Sequence, residues 1–241
     1  MVDLGTQQHQ IMGYDRTSAM FSPEGHLLQV EYAEKTVRLG AASIGMLCSD
    51  GVLIVADKRL KDELMLPESA SKIYEIDSHI AATAAGILSD ARILIEKVQL
   101  SAQQNRLVYD SPIDTESIVR EIADTQQLFS SYGGARPLAV RILAIGMDQN
   151  ITPKLFITDV IGNYFGYKAA AIGENDDKIE EELKKEYKDN IDVNEGIKVS
   201  LGIFKKILGK NFDIKRFEAA FIKKKEDLKK ISGDDLKKFV K

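Results

Sequence analysis

Apolar residues first recur with helical spacing near the start of the chain, before any strand pattern. Ser22 is a good helix cap, and Pro23 follows it at a position where proline is well tolerated. Two apolar stripes continue from there, one of Leu27, Val30, Ala33 and Val37 and one of Leu28 and Tyr32. The pattern predicts a leading helix near residues 22–38 that is covered on two sides.

Paired apolar runs after this helix predict antiparallel strands. Asp50-Gly51 is a strong hairpin signal, and it separates predicted strands near Ala41–Cys48 and Val52–Lys58. A second pair turns at Asp77-Ser78. Its second strand, Ile80–Ala85, consists mainly of small residues, which lets another element pack closely on it.

The remaining pattern alternates pairs of helices with groups of strands. Helices are predicted over 87–109, over 114–132 with Asp114 as N-cap, over 178–188, and over 194–208 after a capping-box-like start at Asp192. Strands are predicted over 138–147, 154–159, 164–173 and 217–223, and a short Lys-rich helix closes the chain. Runs of strands followed by runs of helices favour an α+β fold, with two antiparallel sheets stacked between helix layers.

No linker or repeat divides the chain, so the pattern indicates a single domain over residues 14–241. Residues 1–13 precede it. They are polar, with few apolar side chains that could offset the entropy lost on ordering. The sequence therefore predicts a mobile N-terminal tail.

Composition excludes several classes of function. The net charge of −4 offers no electrostatic case for nucleic acid, and no apolar run approaches the ~18 residues that a membrane span needs. The N-terminus lacks signal-peptide features, and the single cysteine, Cys48, fits a reducing compartment, so a cytoplasmic location is expected.

The motifs of common cofactor and metal sites are also missing. The chain has no Gly-rich phosphate loop, and its three histidines, His9, His26 and His79, are far apart, so no metal or cofactor is expected. A Ser-His-Asp site stays open on spacing alone, although no GxSxG elbow supports one. Lysine runs near the C-terminus are interleaved with acidic residues, which is typical of a solvated helix face.

Five motifs carry a resemblance to a known family. The stretches YDR, FSPEGHLLQVEYA, GILSDAR, YGGARP and YKAAAIG occur in this order, and together they resemble the α subunit of the 20S proteasome, of the archaeal type. The likeness covers nearly the whole chain from Tyr14 onward. It implies a four-layer αββα sandwich of the N-terminal nucleophile hydrolase type, which agrees with the pattern of elements.

The resemblance implies a non-catalytic subunit. Active members of this superfamily begin at a threonine whose hydroxyl attacks the peptide and whose free amine acts as base. Ala41 stands at that position here, and Ser43 lies two residues along the strand. Asp57 and Lys72 match supporting positions but cannot complete the chemistry without a nucleophile. The alternative is an active hydrolase of the same fold with an unrecognised nucleophile.

The resemblance also implies partners and a role in protein degradation. The chain is expected to form a homo-heptameric outer ring on proteasome β subunits. This ring would gate the entry of unfolded proteins and dock the C-termini of a regulatory ATPase or another activator. Neighbouring subunits would then cover the second stripe of the leading helix. The alternatives are a purely structural ring without a gate and a helix buried within its own subunit.

Four positions match the family's gate cluster: Tyr14, Asp15, Pro23 and Tyr32. Asp15 can accept a hydrogen bond from a tyrosine hydroxyl, and Pro23 fixes the local backbone. The cluster is expected to set where each tail leaves the ring. Ordinary capping and core packing is the alternative.

Lys72, Glu31 and Gly86 match the pocket that receives activators in the family. A lysine ammonium is suited to a terminal carboxylate, and Gly86 permits close approach of another backbone. The alternative for Lys72 is a structural ion pair with Asp57.

The loop of Tyr132, Gly133, Gly134 and Ala135 matches the family's pore constriction, although two adjacent glycines also fit any helix end. Two positions depart from the family's pattern. His26 replaces an arginine, so a contact there is expected to be lost or to depend on pH. Glu34 replaces a frequent arginine, which puts an ion pair at this position in doubt.

Overall fold

The computed structural model describes residues 13–14, 16–59, 64–66 and 69–240. The predicted tail, except Gly13, lies outside these residues. The five α-helices among them are α1 Leu28–Leu39, α2 Leu88–Tyr109, α3 Thr115–Ser131, α4 Asp176–Glu186 and α5 Val193–Leu208. The ten strands are β1 Ser43–Leu47, β2 Gly51–Asp57, β3 Ile73–Asp77, β4 Ile80–Gly86, β5 Val140–Met147, β6 Pro153–Thr158, β7 Tyr164–Gly166, β8 Ala169–Ile172, β9 Phe217–Lys223 and β10 Lys229–Ser232.

The strands form two five-stranded antiparallel sheets. The first sheet has the order β10-β9-β2-β1-β8, and the second has the order β3-β4-β5-β6-β7. The predicted hairpins are present, with Leu47 opposite Val52 in the first and Asp77 opposite Ile80 in the second. The α+β fold class predicted from the sequence is confirmed.

Three apolar clusters hold four layers together. One cluster joins the first sheet to α4 and α5 and includes Ile44, Phe204 and Phe217. A second fills the space between the sheets, and a third joins the second sheet to α2 and α3. The order of layers is therefore helices, sheet, sheet, helices, as expected for an αββα sandwich.

The leading helix starts later than the sequence pattern predicted. Residues 22–25 form a turn in which the Gly25 amide donates to the Ser22 carbonyl, and α1 begins at Leu28. The Ser22 hydroxyl accepts a hydrogen bond from the His26 amide at 3.1 Å, so it stabilises the turn and caps no helix. Gly25 has φ +83°, a left-handed conformation that ends any helical run there.

The position of α1 explains its first apolar stripe. Ala33 and Val37 belong to the cluster between the two sheets, and Val30 packs against it, so the helix closes one end of this core. Leu28, from the second stripe, is also buried within the single chain, whereas Tyr32 is half-buried. The subunit itself therefore covers part of the second stripe.

Two other predicted elements differ in the structure. Residues 164–173, predicted as one strand, form β7 in the second sheet and β8 in the first. The chain crosses between the sheets at Tyr167 and Lys168, where the Tyr167 amide donates to Leu155 and the Lys168 carbonyl accepts from Leu47. The predicted Lys-rich helix at the end is β10 followed by a 3-10 helix over Gly233–Phe239.

Within the described ranges, no helix is long and apolar enough to cross a membrane. The same part of the chain contains no cluster of three His, Cys, Asp or Glu side chains that could hold a metal ion.

Candidate functional site

Lys72 lies immediately before β3, with its side chain directed at the first sheet. The residue is 3% exposed, and its Nζ donates a hydrogen bond to the Ala41 carbonyl at 2.6 Å. Ala41 precedes β1, so this hydrogen bond links the residue before β3 of the second sheet to the segment before β1 of the first sheet.

The structure brings together the three positions that matched catalytic machinery. Besides the contact between Lys72 and Ala41, the Asp57 amide donates to the carbonyl of Ala42 at 3.0 Å. The Ala41 side chain is a methyl group and cannot attack a carbonyl. Ser43 is fully buried in β1, where its hydroxyl is hydrogen-bonded to the Thr83 hydroxyl at 3.0 Å.

Asp57 does not form the ion pair with Lys72 that was the alternative to a docking role. Its carboxylate is held by Arg216 through two hydrogen bonds, of 2.5 and 3.1 Å, and also accepts from the Arg59 amide at 2.8 Å. Because the guanidinium of Arg216 already satisfies this carboxylate, the Lys72 ammonium is bonded to a neutral carbonyl.

A pocket of about 200 Å³ opens beside Lys72. Lys58 and Arg59 also line it, as do Ala41 and Gly86, and no carboxylate is among the described lining residues. Arg59 is oriented by the carboxylate of Glu174 and by the Leu39 carbonyl at the end of α1. Three cationic side chains around one pocket favour an anionic ligand.

Burial changes the acidity of the Lys72 ammonium. Desolvation lowers its pKa from 10.5 to about 8, and the nearby Arg59 charge acts in the same direction. The Asp57 and Glu218 carboxylates partly oppose this effect. A carboxylate entering the pocket would favour the protonated form, so proton uptake and anion binding are linked at this site.

Gly86 is required by the way α1 meets the second sheet. It has φ +115°, and a Cβ there would lie 2.2 Å from the Ala139 carbonyl oxygen. A Cβ at Gly40, just past the end of α1, would lie 2.3 Å from the Gly86 nitrogen. The two backbones are in direct contact at the edge of the pocket, as the small residues of β4 indicated.

The structure brings the N-terminal segment to the loop of residues 132–135. Ser18 is buried, and its hydroxyl donates to the Ala135 carbonyl at 2.8 Å, with the Tyr132 carbonyl at 3.4 Å. Tyr132 itself is exposed, and a Cβ at Gly133 would meet no atom within 4 Å. Sequence reasoning missed Ser18, because a serine in a loop gives no signal of a partner more than a hundred residues away.

An ion pair between an exposed arginine and a buried aspartate anchors the base of this loop. The Arg136 guanidinium forms paired hydrogen bonds of 2.7 and 2.8 Å with Asp90, which is 4% exposed, at the start of α2. Asp90 raises the pKa of Arg136 and also accepts from the Ala139 amide at 3.1 Å. Both residues lie within quoted motifs, GILSDAR and YGGARP, but nothing in the pattern indicated that they pair.

The predicted gate residues are only partly described. Pro23 is exposed in the turn of residues 22–25, Tyr14 is half-buried, and Tyr32 lies on α1 with the Lys35 ammonium 5.5 Å from its ring centre. Asp15 lies outside the described residues, so its predicted hydrogen bond with a tyrosine stays a prediction.

Both departures from the family pattern contact a side chain on another part of the chain. His26 Nδ1 lies 2.5 Å from the Glu31 carboxylate, which connects the turn to α1 across an exposed surface. Glu31 is directed at His26 and is not among the described residues that line the Lys72 pocket. Glu34 pairs with Arg141 of β5 at 2.7 Å, so an ion pair exists at the position where it was in doubt.

Comparisons with known proteins agree with these observations. A family model described as "Proteasome subunit" matches residues 37–222, and a model for the N-terminal signature of A-type proteasome subunits matches residues 14–35. Several archaeal proteasome alpha subunits are similar to this chain along most of their length. The one from Archaeoglobus fulgidus is 38% identical over 95% of this chain and 93% of its own. That from Methanocaldococcus jannaschii is 40% identical over 94% and 87%.

Proposed function

Because the chain belongs to the proteasome α-subunit family, we propose that it is a non-catalytic subunit of the outer ring of a 20S core particle. The observation that carries the proposal is Ala41. The residue lies beside Lys72, where the active members of the superfamily have a threonine hydroxyl, and it presents only a methyl group. Its nitrogen belongs to a peptide bond after α1, so no free amine is available as a base.

The alternative of an active hydrolase has little support at this site. Ser43 is the nearest hydroxyl along the strand, and it is buried and bonded to Thr83. A nucleophile has to reach both its base and the substrate.

Ring assembly is the part of the proposal that imaging tests directly. Exposed apolar side chains on and beside α1, including Phe21 and Leu39, are available for contacts between neighbouring subunits. Negative-stain microscopy of the purified chain is expected to show rings with seven-fold symmetry. A monodisperse monomer at micromolar concentration, or closed rings of another symmetry, would contradict this proposal.

The Lys72 pocket is proposed to receive the C-terminal carboxylate of an activator. The three cationic side chains that line it support an anionic ligand. Lys72→Ala is expected to weaken docking while rings still assemble, since truncating one partner of a buried charged pair typically costs about 2–5 kcal/mol. Rings that bind the activator equally well with and without Lys72 would contradict the docking role.

Gating is proposed for residues Val2 to Gly13. The hydrogen bonds from Ser18 to the loop of residues 132–135 support it, because they fix the segment that follows the tail beside the loop predicted to narrow the pore. Deleting Val2 to Gly13 from assembled particles is expected to speed the entry of unfolded casein much more than that of a tetrapeptide. Equal casein degradation by intact and truncated particles would argue for a structural ring without a gate.

A further inference from the structure

We infer that Glu218 is the positioning residue for Lys72, with its carboxylate fixing the backbone that carries the lysine and supporting the lysine's charge. The inference rests on the docking role proposed for Lys72.

Three hydrogen bonds join Glu218 to consecutive residues of one segment. Its carboxylate accepts from the Ser71 hydroxyl at 2.9 Å, from the Lys72 amide at 2.5 Å and from the Ile73 amide at 3.0 Å. Glu218 is 7% exposed, and hydrogen bonds to a buried carboxylate are stronger than those between neutral groups.

The location of this contact explains why the segment needs it. Pairing of β3 with β4 begins only at Ile73, opposite Thr83, so the Lys72 amide lies beyond the end of the ladder. Glu218 belongs to β9 of the other sheet, where it lies opposite Ala56. Without its carboxylate, two buried amides would lose their acceptor, and the backbone placement that brings Lys72 to Ala41 would be lost.

Glu218 also differs from Asp57 in the groups that bind its carboxylate. Asp57 and, less strongly, Glu218 favour the protonated form of Lys72, whereas Arg59 opposes it. The Asp57 carboxylate is paired with the Arg216 guanidinium. Within the described part of the chain, no lysine or arginine forms a salt bridge with Glu218, whose three partners are neutral donors. Glu218 therefore adds to the effect of Asp57 a negative charge that no described lysine or arginine pairs with.

Two substitutions separate the roles of geometry and charge. In Glu218→Gln the amide oxygen can still accept from the two backbone amides, and the amide nitrogen can donate to the Ser71 hydroxyl, so geometry is kept while charge is removed. Glu218→Ala removes both. Glu75→Gln, the same chemical change at an exposed position of β3, is the matched control.

Docking is measured on assembled rings with a fluorescein-labelled, alanine-rich octapeptide ending in a free carboxylate, and with its C-terminal amide, from pH 6.5 to 9.5. Glu218→Gln is expected to bind the carboxylate peptide like the wild type at pH 6.5 but to lose binding at a midpoint about 0.5 pH units lower or more. Glu218→Ala is expected to bind about tenfold more weakly throughout. Wild-type affinity and midpoint in both variants would overturn the inference.

A second measurement distinguishes failure of this inference from failure of the docking role. If wild-type rings bind the carboxylate and amide peptides equally, the docking role is wrong, and melting temperatures from pH 7 to 10 decide the role of Glu218. A positioning role predicts that Glu218→Gln changes the pH dependence of melting in the wild type but not in Lys72→Met, because the two residues act as a pair. The same effect of Glu218→Gln in both backgrounds would overturn the inference.

Discussion

The Lys72 pocket and the N-terminal segment of residues 18–26 are held in place in very different ways. Lys72 is buried, and a carboxylate from another sheet fixes the backbone on which it lies. This segment is held by hydrogen bonds of Ser22 and of the Ser18 hydroxyl, and by the contact between the exposed side chains of His26 and Glu31. The same chain thus contains one strongly constrained site and one weakly held segment.

This difference follows from burial. Hydrogen bonds to charged groups in the interior are strong, whereas an ion pair between exposed side chains contributes about 0–1 kcal/mol. The Lys72 site is therefore suited to recognition by a fixed geometry. The segment is suited to small rearrangements, because its contact with α1 is a hydrogen bond between exposed side chains.

The largest effect is expected where two backbones meet at the Lys72 pocket. Gly86→Ala forces a Cβ to within 2.2 Å of the Ala139 carbonyl oxygen, at a φ of +115°. Destabilisation of about 3 kcal/mol or more is expected, seen as a melting temperature lower by about 6 °C or more. The control is Gly133→Ala, where the new methyl group meets no atom within 4 Å. Equal melting temperatures for the two variants would show that the contact at Gly86 is not rigid.

The second effect is a pH dependence of stability that comes from Lys72. The pKa of this group is about 8 in the folded chain and near 10.5 when exposed, so between these values the unfolded chain binds more protons and stability rises with pH. The buried charge of Lys72 therefore lowers the free energy of unfolding most below pH 8. Relative to Lys72→Met, the wild type is expected to gain about 3 kcal/mol between pH 8 and 10.5.

Urea unfolding of both proteins at each pH measures this difference. The thiol of Cys48, whose pKa burial raises to about 12, and Tyr74, whose pKa burial also raises, act in the opposite sense above pH 9. Both groups are present in the two proteins, so their effects cancel in the difference. Parallel stability curves would mean that Lys72 titrates normally.

A smaller effect is expected at the contact between the N-terminal segment and the loop of residues 132–135. Ser18→Ala removes the hydroxyl that donates to Ala135, which is expected to cost about 1 kcal/mol and to speed entry of unfolded casein into assembled particles. Thr17→Ala is the matched control, because among the described residues the Thr17 hydroxyl accepts just one long hydrogen bond, from the Ala19 amide at 3.4 Å. Equal rates of casein entry for the two variants would mean that the Ser18 hydroxyl has no role in gating.

The smallest effect is expected at the exposed pair of His26 and Glu31. Glu31→Gln is expected to change the free energy of unfolding by under about 1 kcal/mol, since both side chains are about half exposed to solvent. Urea unfolding at pH 6 and pH 8 checks it. A loss of more than about 1 kcal/mol in the free energy of unfolding at pH 6 would mean that this pair holds the turn more strongly than expected for exposed side chains.

Local signals predicted much of the fold. The helix predicted over 87–109 is α2 to within one residue, and the Asp114 and Asp192 side chains cap their helices as expected. The start of α1 was wrong because Ser22-Pro23 begins a capped helix or a turn equally well, and Gly25 decides for the turn. The crossing between β7 and β8 was missed because one apolar run can serve two sheets.

The site was predicted in its residues but not in its contacts. Lys72 and Gly86 were identified by resemblance, and the structure places both beside one pocket. Glu218 lies 146 residues from Lys72, and Ser18 lies 117 residues from Ala135. Their residue types are common, so no local pattern could indicate these partners. Such contacts depend on how the two sheets stack, which is a property of the whole fold.

We propose that Ala41 leaves the Lys72 site without a nucleophile, and covalent labelling of the purified chain is the sharpest test of this proposal. The purified chain is incubated with an electrophilic probe selective for N-terminal threonine nucleophiles, and its intact mass is measured. We expect an unmodified mass, because Ala41 presents only a methyl group and Ser43 is buried. A stoichiometric adduct on one serine or threonine, accompanied by loss of peptide hydrolysis, would contradict it.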